Sequence, residues 1–230
     1  MIWSIADLHF DPKGDKPMDI FGPNWKGHED KIIEYWNEVV KEDDIVLLPG
    51  DISWALKLEE VKTDLEKIEK LPGKKIISKG NHDYWWASLN KMESLGFKTI
   101  KFINNNSYMY DDIAIIGTRG WIARDAVGFD KVNDEKIYLR EINRLKNSLE
   151  VNKNAKRKIA MIHYPPYNQD YTPNEFTELL SEYNVDLCIY GHLHGEGHNF
   201  IFEGILKDVN FICVASDYLD FKVKKVGDLL

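Results

Sequence analysis

The sequence predicts an α/β fold with two β-rich halves packed face to face and helices outside, and three observations carry that prediction. Short apolar runs alternate with longer segments whose apolar side chains recur at helical spacing, the pattern of a largely parallel sheet. Midway, from Thr99 to Gly117, this alternation gives way to apolar runs separated by turn residues, a β-meander able to begin a second sheet. The 230 residues show no repeat, low-complexity tract or Ser/Gly linker, so one domain spanning 1–230 is expected.

In chain order, Ile2 to Ala6 reads as the first strand, followed by a Pro/Gly-studded loop from about Phe10 to Gly27. Ile32, Trp36, Val39 and Val40 form the apolar stripe of a helix over His28 to Lys41. Ile45 to Leu48 is a strand. Leu58, Val61, Leu65 and Ile68 mark a helix that Leu71-Pro72-Gly73 ends. Ile76-Ile77-Ser78 is a strand, Trp85 to Leu95 a helix, and the meander contains runs 100–103, 107–110 and 113–116. Residues 118–133 have no clear period and form either a lid or a surface loop. Tyr138, Ile142, Leu145 and Leu149 mark a long amphipathic helix, and Ile159 to Ile162 a strand. Thr172-Pro173-Asn174-Glu175 reads as a helix start, with Thr as N-cap, Pro in the first turn and Glu closing a capping box. Leu187 to Tyr190 is a strand, and β-like runs near 199–203 and 209–214 close the chain.

A chain that is 43% hydrophobic and 30% charged buries a substantial core without disulfide staples. Cys188 and Cys213 each lie inside an apolar run and are expected to be buried, reduced thiols. No apolar run approaches the ~20 residues that span a bilayer. The first residues lack the basic segment of a signal peptide and reach Asp7 too early for one, so a cytoplasmic setting without membrane attachment is expected. A formal net charge of −8 repels phosphate backbones and argues against long duplex nucleic acid as a partner.

The chemistry concentrates where strands end. Five times a short apolar strand runs directly into metal-capable residues: Asp7-Leu8-His9, Pro49-Gly50-Asp51, Gly80-Asn81-His82-Asp83, His163, and Gly191-His192-Leu193-His194-Gly195. Sites in parallel sheets form beyond the carboxyl ends of the strands, so the five segments should meet in one crevice. Five of the seven histidines lie in these segments, which a scatter of surface histidines would not produce. Mixed Asp, Asn and His donors without thiolate suit Mn, Fe or Zn rather than a structural, cysteine-built zinc site. Asp7, His9, Asp51, Asn81, His163, His192 and His194 make seven donors, too many for one ion and suited to two. Two divalent ions outweigh two carboxylates and a bridging hydroxide, so the site is locally cationic within an acidic protein. Ions about 3.5–4 Å apart generate such a hydroxide near neutral pH and clamp phosphoryl oxygens during in-line displacement.

Asp7-x-His9, Gly50-Asp51, Gly80-Asn81-His82-Asp83, His163 and Gly191-His192-x-His194, in this order over most of the chain, resemble the signature of the calcineurin-like metallophosphoesterases. The resemblance implies a four-layer αββα sandwich, two mixed β-sheets face to face flanked by helices. It implies that Asp7, His9 and His194 bind one divalent ion, that Asn81, His163 and His192 bind a second, and that Asp51 bridges both, with Mn the first choice of metal. It further implies that His82 is the general acid for the leaving oxygen and that Asp83 orients it. Nearby cations depress an imidazole pKa and an adjacent carboxylate raises it, so His82 retains a proton to give near neutral pH. Two departures are small: Asp83 stands where many relatives carry Glu, and Ile52-Ser53-Trp54 follows Asp51 where some place another polar residue. Trp54 suggests an aromatic wall beside the site.

Arg119, after a strand, is a candidate for binding a substrate phosphate or else an ordinary surface arginine. Trp121, Tyr164 and Tyr167 are candidates for a specificity pocket or for core packing. His28 reads as a surface residue at a helix start, and His198 has no motif spacing of its own. The function expected is hydrolysis of a small phosphodiester or phosphomonoester. The alternative is a non-catalytic metal-binding scaffold of the same fold, which would normally lack ligands or the acid that this sequence retains.

Overall fold

The computed structural model describes residues 1–230. Its first sheet is built from β1 (Ile2–Ser4), β2 (Ile45–Pro49), β3 (Lys74–Ser78) and β4 (Ile100–Ile103), all parallel. A short antiparallel strand from the end of the chain, β11 (Lys224–Lys225), borders β1. The second sheet has the order β5 (Tyr108–Tyr110), β6 (Ile113–Thr118), β7 (Arg157–Ile162), β8 (Leu187–Tyr190), β10 (Val209–Cys213), β9 (Gly204–Leu206). Its four central strands are parallel and both edges are antiparallel. Each sheet is therefore mixed.

Three apolar layers explain why the central strands read as nearly continuous hydrophobic runs. Along β2, Ile45 and Leu47 point between the sheets, where they meet Ile115, Ile159, Met161 and Ile189. Val46 and Leu48 point the other way, onto Ile32 and Trp36 of α1 (His28–Val39) and Val61, Leu65 and Ile68 of α2 (Leu58–Glu69). The second sheet repeats the arrangement. Ala160 and Ile162 pack under Tyr138, Leu145 and Leu149 of α4 (Asp134–Val151) and under Phe176 and Leu180 of α5 (Glu175–Glu182). The result is helices, sheet, sheet, helices.

Several local expectations change. The meander is divided: β4 pairs with β3 in the first sheet, while β5 and β6 form a hairpin in the second. Three consecutive β runs looked alike in sequence, and only their tertiary partners separate them. The helix expected over 85–95 shrinks to α3 (Leu89–Glu93), because Trp85 and Trp86 turn inward against Phe102. For α5 the N-cap is Asn174, not Thr172. Its side chain accepts from the Phe176 and Thr177 amides, and Thr177 completes the box. Residues 195–200 form a 3-10 turn, leaving the strand near the end of the chain to begin at Gly204. Both cysteines are buried and free. No helix is long and apolar enough to cross a membrane.

Candidate metal centre

The parallel strands of the two sheets end at the same side of the sandwich, and the chain crosses between sheets there. Ala6, just past β1, bridges to Ala215, just past β10. The Asp7 amide donates to the Gly50 carbonyl at 3.0 Å, the His9 amide to the Asp51 carbonyl at 3.0 Å, and the Gly191 amide to the His163 carbonyl at 3.1 Å. These bonds draw the strand-end segments into one crevice. Asp7, His9 and His194 present one donor atom each within 4.8 Å of one another, and so do Asp7, Asp51 and His163. The Asn81 side-chain oxygen lies 2.7 Å from Nε2 of His163 and 2.9 Å from Nδ1 of His192. One carboxylate oxygen of Asp51 stands between the two groups, 3.7 Å from Nε2 of His9 and 3.4 Å from Nε2 of His163. All seven residues proposed from the sequence as ligands thus converge on one crevice, with Asp7 common to both groups.

Such convergence demands unusual backbone. Asp7, His9, Asp51 and His192 all have positive φ, between 46° and 73°. Residues with a Cβ adopt this left-handed region only at a cost, and it recurs at functional sites. Two glycines are required by proximity alone: a Cβ on Gly80 would collide with the Asp51 carboxylate, and one on Gly191 with the Asp7 carboxylate. Asp83 holds the arrangement from beneath. Wholly buried, it accepts from the amides of Gly80 at 2.7 Å, Asp51 at 2.9 Å and Ile52 at 2.9 Å, and from the Trp85 indole at 3.0 Å. Its carboxylate makes no hydrogen bond to the His82 ring. The expectation that Asp83 orients the imidazole directly is therefore replaced by a tie between the second and third strand-end loops.

The electrostatics describe donors crowded around space that calls for positive charge. Burial opposes a proton on His163, yet Asp51 and Asp7 hold its pKa at about 9. Burial opposes one on His194 too, and Asp7 and Asp217 raise it to about 10. His192 is pushed down to about 3 by burial and by its neighbour His163. Burial acts against ionised Asp51, but His163, His9 and His82 keep it well below the usual carboxylate range. Nδ1 of His9 and Nε2 of His194 are buried without any hydrogen-bond partner. An unpaired His194 nitrogen facing the Asp7 carboxylate, together with Nε2 of His9 facing Asp51, belongs to the donor set expected for divalent cations, so the residues present fit metal ions.

Supporting residues that no motif revealed complete the centre. Nδ1 of His194 lies 2.7 Å from Asp217, which leaves Nε2 facing Asp7 at 3.4 Å. His163 is likewise fixed through Nδ1, 3.0 Å from the Pro49 carbonyl. Such partners set the tautomer and aim of a metal-binding imidazole. Asp217 follows β10 as the candidate ligands follow their strands, but the preceding Ala215-Ser216 contains no histidine or glycine to flag it. His198 also reaches Asp217, at 3.2 Å. His28 is buried rather than exposed, with Nε2 3.3 Å from the His9 carbonyl. Trp54 forms the wall foreseen from the sequence, stacked on His9 at 4.9 Å and tilted against His82 at 4.6 Å. His82 is half-buried, its pKa lowered by burial while Asp51 and Asp7 pull upward. Arg119 donates to the fully buried Glu141 at 3.2 Å, a carboxylate it shares with Arg144 at 2.8 Å, and lies 4.3 Å over the Trp121 ring.

Two stacked mixed sheets with flanking helices, and a His/Asp cluster at their shared carboxyl end, define a metallophosphoesterase-type sandwich. The calcineurin-like phosphoesterase family model matches residues 1–196, and the chain belongs to that family. The family's chemistry is metal-dependent phosphoester hydrolysis, typically with two divalent ions. An uncharacterized protein of Methanocaldococcus jannaschii is 29% identical over 111 residues, 46% of this chain and 60% of that relative's length. Among solved structures, phosphopantetheinyl hydrolase from Mycobacterium tuberculosis aligns with a TM-score of 0.57 and 15% identity, covering 93% of this chain and 88% of that one. The protein of unknown function AQ665 from Aquifex aeolicus aligns with a TM-score of 0.51 and 20% identity, covering 97% and 94%. These two likenesses concern the fold.

Proposed function

We propose that residues 1–230 form one catalytic domain that hydrolyses a small phosphodiester or phosphomonoester. In this reading Asp7, His9 and His194 hold one divalent ion, Asn81, His163 and His192 a second, and Asp51 both. Manganese is the first candidate, with iron or zinc compatible with the same donors. The observation that carries the reading is the convergence of imidazole nitrogens, the unpartnered Nε2 of His194 among them, on two buried carboxylates at one sandwich end. Bound there, two ions would supply a nucleophile from water at neutral pH and positive charge for the phosphoryl oxygens.

The chain's own residues supply the rest. Asp51, fixed by its left-handed backbone and by Asp83, keeps one carboxylate oxygen aimed between the two donor groups. Its other oxygen accepts from the His82 amide at 2.7 Å, which sets the imidazole at the edge of the centre. From there His82 donates its proton to the departing ester oxygen. Trp54 limits where that ring can swing. A cytoplasmic setting belongs to the same reading, supported by two free cysteines on adjacent strands. The test is hydrolysis of bis-p-nitrophenyl phosphate and p-nitrophenyl phosphate by protein stripped of metal and reloaded with Mn²⁺. Turnover only with metal, and a loss of 10²-fold or more in His82→Ala, is expected on the usual scale for general acids. Absence of turnover on both esters by protein holding two ions would overturn the proposal.

A further inference from the structure

Two clefts open on the centre, and they differ in what they can hold. One, about 650 Å³ with its open mouth included, is lined by His9, His82 and His194 together with Trp54, Met18 and Phe21. The other, about 690 Å³ on the same measure, runs under residues 121–128 and along Tyr164, Tyr167 and Phe200. His192 and Leu193 line both, so the clefts lie on either side of a ridge formed by these two residues. A group bound at the metals would sit where the clefts meet.

The second cleft is built rather than incidental. Tyr164 lies against the His192 ring, centroids 4.0 Å apart, and extends the wall of the centre outward. Trp121 is held in place by its indole N–H on Asp134 at 3.0 Å and by Arg119 over its face, with Arg119 anchored on Glu141. Tyr167 is fixed through its hydroxyl on the Tyr190 hydroxyl at 2.8 Å and the Phe200 carbonyl at 3.1 Å. Nine of its 14 lining residues are hydrophobic, and none is Lys, Arg, Asp or Glu. At the rim Val127 is 99% exposed and Phe200 49% exposed, apolar surface with nothing over it. A cleft without cations does not attract a second phosphate or a nucleic-acid backbone, whereas rigid aromatic walls favour a flat, uncharged group.

Resting on the hydrolase reading above, we propose that the substrate is a phosphodiester straddling the His192–Leu193 ridge, with a neutral apolar or aromatic arm in the Trp121–Tyr164 cleft and the leaving arm on the Trp54–His82 side. A monoester would leave one of the two built clefts without an occupant. In the reaction, a water oxygen bonds to phosphorus and the P–O bond to the leaving arm breaks. His82 protonates the departing oxygen and recovers a proton from the attacking water. The products are an alcohol and a phosphomonoester still carrying the apolar arm. The segment 118–133, which the sequence left as lid or loop, is on this view a specificity wall, and Arg119 is a positioning residue for Trp121.

The experiment compares p-nitrophenyl phenyl phosphate, p-nitrophenyl methyl phosphate and p-nitrophenyl phosphate with Mn²⁺-loaded protein. Alongside, calorimetric binding of diphenyl and dimethyl phosphate gives a readout independent of turnover. The phenyl diester is expected to exceed the methyl diester in kcat/KM by tenfold or more, and diphenyl phosphate to bind at least tenfold more tightly than dimethyl phosphate. Ala126→Trp, which fills the cleft, should reduce both preferences at least tenfold. Val127→Asp, at a position too exposed to disturb folding, should reduce them in the same direction. Equal use of the two diesters together with unchanged selectivity in both variants would overturn the apolar-arm proposal and leave the hydrolase intact. Preference for the monoester would overturn the two-armed substrate in the same way. Failure on all three esters would instead bring down the hydrolase reading on which this one rests.

Discussion

Replacing Asp83 with Asn tests whether this residue serves the His82 ring or the loops that carry the ligands. One oxygen accepts from the amides of Asp51 and Gly80, the other from the Ile52 amide and the Trp85 indole. Whichever way an Asn amide is placed, its NH2 faces two N–H donors, so two charge-assisted hydrogen bonds are lost in a fully buried site. Burial and the neighbouring Asp51 raise the Asp83 pKa, but N–H donors on both oxygens leave the wild-type group no partner for a proton and keep it an acceptor. Hydrogen bonds to a charged group contribute about 1.5–3 kcal/mol each, and a neutral amide costs less to bury than a carboxylate. The net expectation is a loss of about 3 kcal/mol. With a urea m-value of roughly 3 kcal/mol/M for a chain of this size, the midpoint should fall by about 1 M. Urea unfolding of wild type, Asp83→Asn and His82→Ala followed by tryptophan fluorescence measures this. A midpoint for Asp83→Asn within ~0.3 M of wild type, accompanied by an activity loss like that of His82→Ala, would refute the loop-tie argument and return Asp83 to the role of orienting the acid.

Three further expectations follow from the same geometry. Gly80→Ala places a methyl group onto the Asp51 carboxylate and should abolish tight Mn²⁺ binding in calorimetry; wild-type affinity would show that this loop relaxes freely. Asp217→Asn frees the His194 ring and should weaken Mn²⁺ binding by about 10–100-fold with little change in thermal stability; unchanged affinity would remove Asp217 from the centre. Burial lowers the Lys75 pKa to about 8 although its ammonium donates to the Leu71 and Gly73 carbonyls. Between that value and the unfolded value near 10.4 this lysine holds its proton more tightly in the unfolded chain, so its own contribution to stability should rise with pH. After discounting for solvent screening, this contribution grows by about 1–2 kcal/mol between pH 7.5 and 10, read as the change with pH in the stability difference between wild type and Lys75→Met when both are unfolded by urea; a difference independent of pH would refute it.

The layered fold was legible because each central strand is buried on both faces and each helix on one, so periodicity alone separates them. What escaped was the allocation of neighbours. Runs 100–103 and 113–116 are both largely apolar, and their assignment to different sheets depends on which strand each meets, β3 or β7. The convergence of the seven candidate donors was legible because strand ends in parallel sheets face one way, and a histidine or carboxylate immediately beyond such an end has few other uses. Arg119 follows that same rule, yet the partner it meets, Glu141 on α4, lies 22 residues further along and is not announced by any motif. Asp217 obeyed the rule and went unnoticed, because a lone aspartate in a loop resembles any other turn residue.

Asp83 and the left-handed residues explain why the supporting layer is harder to read than the ligands. Four positive-φ residues with side chains each cost about 1–3 kcal/mol, a substantial fraction of a typical domain's stability. Something in the fold must offset that cost, and the offset is local. The amide of Asp51, one of the four, is tied to the buried Asp83 carboxylate, and the amide of His192, another, donates to Asp7 at 3.0 Å. Carboxylates thus stabilise the strained turns through backbone amides, which every residue but proline possesses and which leave no trace in the sequence. A motif records which side chains point into the crevice, while the amides that hold them there are recorded only in the fold.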